Sequence, residues 1–227
     1  MDRSLRLLLI LAAWLTWPNG VFAETAAWAV RGRVVVPAVD ARAGATPSRY
    51  LGQAASLPVT DAAERGVVSD AVVYVESLPS VFVVPNPVGP QPLLEQKGQA
   101  FQPRVLVIQS GTTVGFPNRD PVYHNVFSVS PSKRFDLGKY AKGQSRSVRF
   151  DKSGLVQVFC DIHSDMAAFI LVVPHHVFAR AGSDGRFLLP ELPSGTYKLH
   201  AWHPDFGERV QVVTLGAEAP QPVEFRF

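Results

Sequence analysis

The sequence predicts an all-β protein. Its apolar residues fall in short runs rich in Val, Phe and Tyr, bounded by turn residues such as Ser183-Asp184-Gly185 and Pro193-Ser194-Gly195. No window of about a dozen residues shows a sustained helical period. Many short strands at such spacing are typical of a β-sandwich or a barrel.

The predicted strands cover the chain unevenly. In chain order they are residues 30–36, 71–76, 104–109, 113–116, 124–128, 145–150, 154–160, 168–173, 186–189, 196–202, 209–215 and 223–227. Two stretches interrupt the series: residues 37–66 are rich in Ala, Gly and Pro, and residues 79–98 are rich in Pro. We expect both to be loops or insertions.

The first 23 residues have the composition of a secretory signal. Arg3 and Arg6 precede an apolar stretch at residues 7–17, and Val21-Phe22-Ala23 offers a small-x-small cleavage site. The alternative is an uncleaved membrane anchor, which the short apolar stretch disfavours. We therefore expect an exported protein, periplasmic or secreted, with no membrane span after cleavage.

Composition narrows the class of protein. With 47% hydrophobic and 18% charged residues, the chain is expected to be globular. Its net charge is only +3 and its Lys and Arg residues are scattered, so nothing supports nucleic-acid binding. The single cysteine, Cys160, cannot form an internal disulfide, and in an oxidising compartment its thiol needs protection by a metal or by burial.

The segment FCDIHSDM places Cys160, His163 and Met166 at C-x₂-H-x₂-M spacing. A thiolate, an imidazole and a thioether form a soft ligand set, which selects copper. The alternative is that Cys160 and Met166 are ordinary core residues. A metal site in a β-protein draws ligands from distant strands, and His124 is the best placed of the other histidines.

Two longer segments carry motifs in a fixed order. AFQPRVLVIQSGTTVGFPNRDPVYHNVFSVS contains an aromatic-x-P strand entry, G-T-T-V-x-F-x-N and H-N-V, and SGLVQVFCDIHSDMAAFILVV contains a Gly-led strand followed by F-C-x-x-H-x-x-M. Together, from about residue 99 to 173, they resemble a cupredoxin of the plastocyanin and amicyanin kind. A lone C-x-x-H would be weak evidence, but the ordered set is specific.

The resemblance implies a copper site. His124, Cys160 and His163 would be the equatorial ligands of one type-1 copper ion, with Met166 as the weak axial ligand, a set that gives blue-copper sites. Asn125 would form a hydrogen bond across the two ligand loops. Two residues separate His163 from Met166, as in amicyanin.

Four other polar residues lie close in sequence to the predicted ligands. Asp161 and Asp165 flank His163, where the resemblance would place an apolar docking patch, so we expect no clear patch there. Asn118 and Asp120 are interpreted as turn formers, with contact to the site as the less favoured alternative.

The remaining histidines are not expected to bind metal. His175 and His176 follow a predicted strand, and adjacent strand residues point to opposite faces, which favours a linker. His200 and His203 flank Trp202, where a second metal site is the less favoured interpretation.

The C-terminal segment DGRFLLPELPSGTYKLHAWHP has a resemblance of its own. Its matching residues are Asp184, Gly185, Phe187, Leu189, Leu192, Pro193, Gly195, Tyr197 and Leu199. They resemble the signature of carboxypeptidase regulatory-like, or transthyretin-like, β-sandwich domains. The G-x-V and A-x-V-x-V strands that open such domains correspond here to Gly32-Arg33-Val34 and to residues 71–75, before the cupredoxin segment.

These observations predict one sandwich inserted in another. Two strands alone are unstable, and the C-terminal strands alone would leave an unpaired edge. We therefore predict a cupredoxin Greek-key sandwich inserted between the second and third strands of a small transthyretin-like sandwich. The expected divisions are a signal peptide at 1–23, N-terminal strands with long loops at 24–92, the cupredoxin at 93–174 and C-terminal strands at 175–227.

The predicted site favours a one-electron carrier that serves a redox partner protein. Four protein ligands would leave no open position for a substrate, so we expect no catalytic residues and no enzyme activity. One alternative is a periplasmic protein that binds or delivers copper. Another is a metal-free β-sandwich that acts as a scaffold or adhesion module.

Overall fold

The computed structural model describes residues 27–37, 47–50, 53–56, 68–80, 89–216 and 218–227. These ranges hold strands and turns with one 3₁₀ turn at Val68–Asp70, so the all-β prediction is confirmed. No helix in the described ranges could span a membrane. The predicted signal peptide at 1–23 lies outside the described residues.

The strands follow one another at short intervals. Those before the ligand segments are β1 (Ala27–Val35), β2 (Pro47–Tyr50), β3 (Gln53–Ser56), β4 (Val72–Val75), β5 (Glu95–Gln96), β6 (Phe101–Gln102), β7 (Val105–Gln109) and β8 (Thr112–Pro117). The others are β9 (Phe127–Ser130), β10 (Lys133–Asp136), β11 (Ser145–Phe150), β12 (Gly154–Phe159), β13 (Ala167–Val173), β14 (Phe178–Arg180), β15 (Arg186–Pro193), β16 (Gly195–His203), β17 (Gly207–Leu215) and β18 (Val223–Arg226).

Most predicted strands are found, and the differences concern short elements. Strands β2 and β3 pair within residues 37–66, where a loop was predicted. Strands β5, β6, β10 and β14 were not predicted, because runs of two to four residues carry no measurable alternation. The strand predicted at 124–128 begins only at Phe127.

Strands β5 to β13 form the inserted sandwich. Its larger sheet has the order β10-β9-β12-β13-β7, and β8 pairs with β11 in the facing layer. Val114 and Phe116 of β8 meet Val156 and Val158 of β12 in a buried core. The short β5–β6 hairpin is attached to β8 through bridges from Leu93 to Gly115 and from Gln96 to Asn118.

Strands from both ends of the chain form the terminal sandwich, which comprises β1, β4 and β14 to β18. One sheet has the order β15-β1-β18, and the other has the order β14-β4-β16-β17. The early strands β1 and β4 are thus central in their sheets and pair with strands that follow the inserted sandwich. This confirms the predicted pairing of the two ends of the chain.

Gly32 in β1 has a physical reason to be glycine. A Cβ atom at this position would lie 2.1 Å from the carbonyl oxygen of Val223 and 2.6 Å from the ring of Phe187. Phe187 crosses β1 at this point and packs in the core with Phe225. Any side chain at position 32 would therefore have to displace the backbone of Val223 and the ring of Phe187.

A third apolar cluster joins the two sandwiches. Val72 and Trp202 of the terminal sandwich pack against four residues of the inserted one, which are Val105, Val107, Leu171 and Val173. The ring of Trp202 meets that of Phe169 edge-on at 5.8 Å. Alternate residues of β4 and β13 therefore serve two different cores, which explains why both strands are apolar on both faces.

Arg104 forms ion pairs across this contact between the two sandwiches. The guanidinium of Arg104, at the start of β7, binds both carboxylate oxygens of Asp205 at 2.7 and 3.0 Å. It also donates to Asp70 at 2.8 Å. Because the guanidinium is partly buried and bidentate, it fixes the orientation of the contact more firmly than a surface ion pair would.

Candidate metal centre

A tight loop presents Cys160, His163 and Met166 at one end of the inserted sandwich. Cys160 directly follows β12, and its N–H donates to the carbonyl of Met166 at 3.2 Å. The N–H of Met166 in turn donates to the carbonyl of His163 at 3.1 Å. These bonds close residues 160–166 into a tight loop.

His124 approaches that point from a separate segment. Its backbone forms an isolated bridge with Tyr140, donating at 3.3 Å and accepting at 3.0 Å. The prediction that His124 begins a strand is therefore wrong, since β9 starts three residues later. The bridge to Tyr140 replaces strand pairing as the constraint on the His124 backbone.

The three side chains bring their donor atoms together. The Nδ1 atoms of His124 and His163 lie 3.0 Å apart, and the Sγ atom of Cys160 lies 4.0 and 3.7 Å from them. The point equidistant from these atoms lies about 2.1 Å from each, which matches bonds of about 2.0–2.3 Å from protein N and S atoms to a first-row metal. Within the described residues, these three side chains form a group that could hold a metal ion.

The donor set fits copper. One thiolate and two imidazoles in a triangle are the equatorial ligands of blue-copper sites. His124 is 0% and Cys160 5% exposed, and His163 is half-buried. The residues present would therefore hold a soft metal ion in a largely dry site that opens to solvent at His163.

Met166 lies in the apolar wall of the same site. Its side chain is 1% exposed and belongs to the core cluster that contains Cys160. The loop hydrogen bonds from Met166 to Cys160 and His163 keep it beside both ligands. Its axial ligation of the metal remains a prediction.

Asp120 contacts the ligand His124 directly. Its Oδ2 atom lies 2.8 Å from Nε2 of His124, on the side of the ring away from the metal site. An imidazole that donates through Nε2 keeps Nδ1 free as a metal ligand. The alternative that had been less favoured, contact of Asp120 with the site, is therefore the one that the structure shows.

Hydrogen bonds keep the Asp120 carboxyl group ionised. Burial alone would raise the pKa of Asp120, but backbone N–H donors from Gln99 and Gly98, together with His124, lower it overall. The sequence offered no signal for these contacts, because the donors lie outside every predicted strand, Gly98 at the end of a predicted loop and Gln99 directly after it.

The two asparagines form hydrogen bonds in the segment around His124 and to Tyr140. Asn118 forms a turn as predicted, since its side chain accepts the N–H of Asp120 and donates to the carbonyls of Val122 and Tyr140. Asn125 accepts the N–H of its neighbour Val126 at 2.7 Å. The hydrogen bond that Asn125 was expected to form across the ligand loops is thus replaced by one within its own segment.

Apolar side chains are exposed next to the ligands. Val122 and Tyr123 directly precede His124 and are 39% and 61% exposed, and Ile162 directly precedes His163 and is 42% exposed. Asp161 and Asp165 are also exposed, and Asp161 lies 3.8 Å from Lys139. Exposed apolar side chains and exposed carboxylates therefore both lie next to the candidate ligands in sequence.

The other histidines do not form a second group of metal ligands in the described residues. His200 stacks on Tyr74 and contacts Glu208 at 2.9 Å on the surface of the terminal sandwich. His203 is fully buried beside Phe206 and Phe227. His175 and His176 lie between β13 and β14, as predicted for a linker.

Comparisons with known proteins give partial structural matches. Neither a protein-family model nor a curated protein sequence matches the chain. A solved amicyanin mutant in the reduced state is 24% identical, covering 36% of this chain and 80% of its own, with a TM-score of 0.33. A purple cupredoxin from Nitrosopumilus maritimus is 26% identical over 33% of this chain and 83% of its own, with a TM-score of 0.31.

A third match is a copper-containing nitrite reductase from Thermus scotoductus. It is 30% identical, and the match covers 40% of this chain but only 24% of the reductase, with a TM-score of 0.35. Each of these three matches covers a minority of this chain.

Proposed function

We propose that this protein is an exported one-electron carrier with a single type-1 copper ion, held by His124, Cys160 and His163, with Met166 as the axial ligand. The observation that carries the proposal is the triangle formed by two Nδ1 atoms and one Sγ atom, all within reach of one ion. Copper bound there would supply a Cu(I)/Cu(II) couple in a soft ligand set.

The burial of the ligands favours electron transfer over turnover of a substrate. His124, Cys160 and Met166 are at most 5% exposed, so molecules approach the site past His163. Hydrogen bonds of the loop backbone and of Tyr140 hold the donor atoms in place, which limits rearrangement when the charge of the site changes. We therefore propose that the protein is not itself an enzyme.

The half-buried edge of His163 is the proposed exit for the electron. Exposed Val122, Tyr123 and Ile162 lie beside the ligands and would give a redox partner an apolar contact surface. Asp161, Asp165 and Lys139 would add charged contacts at the rim of that surface. The signal-like residues 1–23 support export to the periplasm or beyond.

Electrochemistry of the purified copper-loaded chain tests this function. We expect one copper per chain and a reversible one-electron wave that persists over repeated cycles, and the metal-free chain serves as the silent control. Rapid loss of copper to a competing Cu(I) chelator in each reduced cycle would contradict the carrier and favour copper delivery. A chain that binds no copper would favour a scaffold or adhesion module.

A further inference from the structure

We propose that the turn at Gly98-Gln99 acts through Asp120 as a positioning device for His124, and that it sets the copper affinity and reduction potential of the site. The inference rests on the proposed copper site. Its elements are a backbone turn at residues 98–99, and a carboxylate and one proposed ligand that both lie within residues 120–124.

The turn has an unusual backbone. Lys97 donates its N–H to the carbonyl of Ala100 at 2.9 Å, which leaves Gly98 and Gln99 as a two-residue loop between β5 and β6. Their φ angles are 65° and 55°, as a type I′ hairpin turn requires. Gln99 is the single non-glycine residue with positive φ in the described residues, and this conformation costs energy in any L-residue with a side chain.

Both residues of the turn donate to one carboxylate. The N–H of Gly98 lies 2.6 Å from Oδ1 of Asp120, and the N–H of Gln99 lies 2.8 Å from Oδ2. The same Oδ2 atom contacts Nε2 of His124 at 2.8 Å. The turn at Gly98-Gln99 therefore aims the carboxylate of Asp120 at Nε2 of His124, the ring nitrogen on the side away from the proposed metal site.

This arrangement has two consequences for the site. A carboxylate that accepts from Nε2 fixes the tautomer in which Nδ1 bears the lone pair, and so orients the ligand toward the metal. An anionic acceptor also makes the imidazole a stronger donor, which favours Cu(II) over Cu(I) and lowers the reduction potential. Asp120 is thus a positioning residue rather than a ligand.

The test uses Asp120→Asn with Asp136→Asn as the matched control. Asp136 accepts the N–H of Gly138 in an exposed turn of the same sandwich and contacts no ligand, so its change removes one carboxylate without touching the site. We expect Asp120→Asn to bind copper about 10- to 100-fold more weakly, with a raised potential. Asp136→Asn should match the wild type, because its carboxylate lies outside the hydrogen bonds that connect the turn, Asp120 and His124.

If the wild type is blue and Asp120→Asn and Asp136→Asn both show its copper affinity and reduction potential, the inference is overturned. The proposed function would then remain intact. A wild type that binds no copper would contradict the proposed function, but the tautomer of His124 can still be measured in that protein. Nitrogen NMR of the metal-free wild type should show His124 protonated at Nε2. This measurement does not depend on whether Asp120→Asn folds. Protonation at Nδ1 would overturn the inference.

Discussion

Nδ1 of His124 and Nδ1 of His163 lie 3.0 Å apart, although 39 residues separate them in sequence. The segments that carry them meet because β9 and β12 pair through a single residue pair, Phe127 with Phe159. Cys160 directly follows Phe159, and His124 lies three residues before Phe127. The register of one residue pair therefore brings the two ligand loops together.

Met166 should tune the site rather than hold the metal. In Met166→Leu, we expect the protein to fold, bind copper and stay coloured, because the swap nearly conserves volume and spares the three equatorial donors. Loss of the thioether should raise the reduction potential, as measured by voltammetry. Complete loss of copper from a folded Met166→Leu protein would contradict the proposed geometry.

The terminal sandwich should not survive removal of either end. A chain truncated after Gly182 would leave β1 without β15 and β18, and β4 without β16. We expect this protein to aggregate or to be cleaved between residues 36 and 93, because its apolar faces and strand edges are exposed. Residues 175–227 alone should be unfolded by circular dichroism, and a soluble, cooperatively folding fragment would contradict the account.

Trp202 should stabilise the contact between the two sandwiches. Its side chain is 8% exposed and packs against Phe169 and the β7–β13 face, so Trp202→Ala should cost about 3–5 kcal/mol of unfolding free energy. Val212→Ala, at a site 65% exposed, serves as the control and should change the unfolding free energy little. Urea unfolding of both variants checks this, and equal midpoints would show that the contact contributes nothing.

Tyr140 should make the fold sensitive to alkaline pH. Burial raises the pKa of Tyr140 to about 12. This lies above the pKa of an unfolded tyrosine, about 10, so the contribution of Tyr140 to stability is complete below pH 10 and is lost as pH rises through 12.

Tyr140→Phe should remove that part of the alkaline slope. It should also cost roughly 1–3 kcal/mol at neutral pH, because Gln96 and the carbonyl of Phe116 lose their buried partner. Urea unfolding from pH 8 to 12 measures both effects. Tyr123→Phe, at a site 61% exposed, is the control, and identical alkaline slopes in the two variants would contradict the prediction.

The fold could be predicted from sequence where the signal is local. Alternation and turn residues located the longer strands, and the C-x₂-H-x₂-M spacing located the closed loop that carries Cys160, His163 and Met166. The pairing of β1 with β15 and β18 followed from the instability of isolated strands. The first two arguments use only neighbouring residues, and the third also uses the resemblance of both ends of the chain to one sandwich signature.

The contacts that could not be predicted depend on distant segments. Asp120 meets His124 because the turn at Gly98-Gln99 orients its carboxylate, and positive φ at Gln99 leaves no mark in the sequence. Likewise, the sequence alone indicates only that the apolar residues of β13 that face Trp202 are buried, and not what they pack against. Their burial against a second sandwich becomes visible only when both sandwiches are in place.

The measurement that tests the central claim most directly is the visible and EPR spectrum of the copper-loaded wild type beside Cys160→Ser. Charge transfer from the Cys160 thiolate to Cu(II) should give the wild type an intense visible band and a type-1 EPR signal. The serine variant should lack both while remaining a folded β-protein. A copper-loaded wild type that is pale, with a type-2 signal, would contradict the type-1 centre at His124, Cys160 and His163.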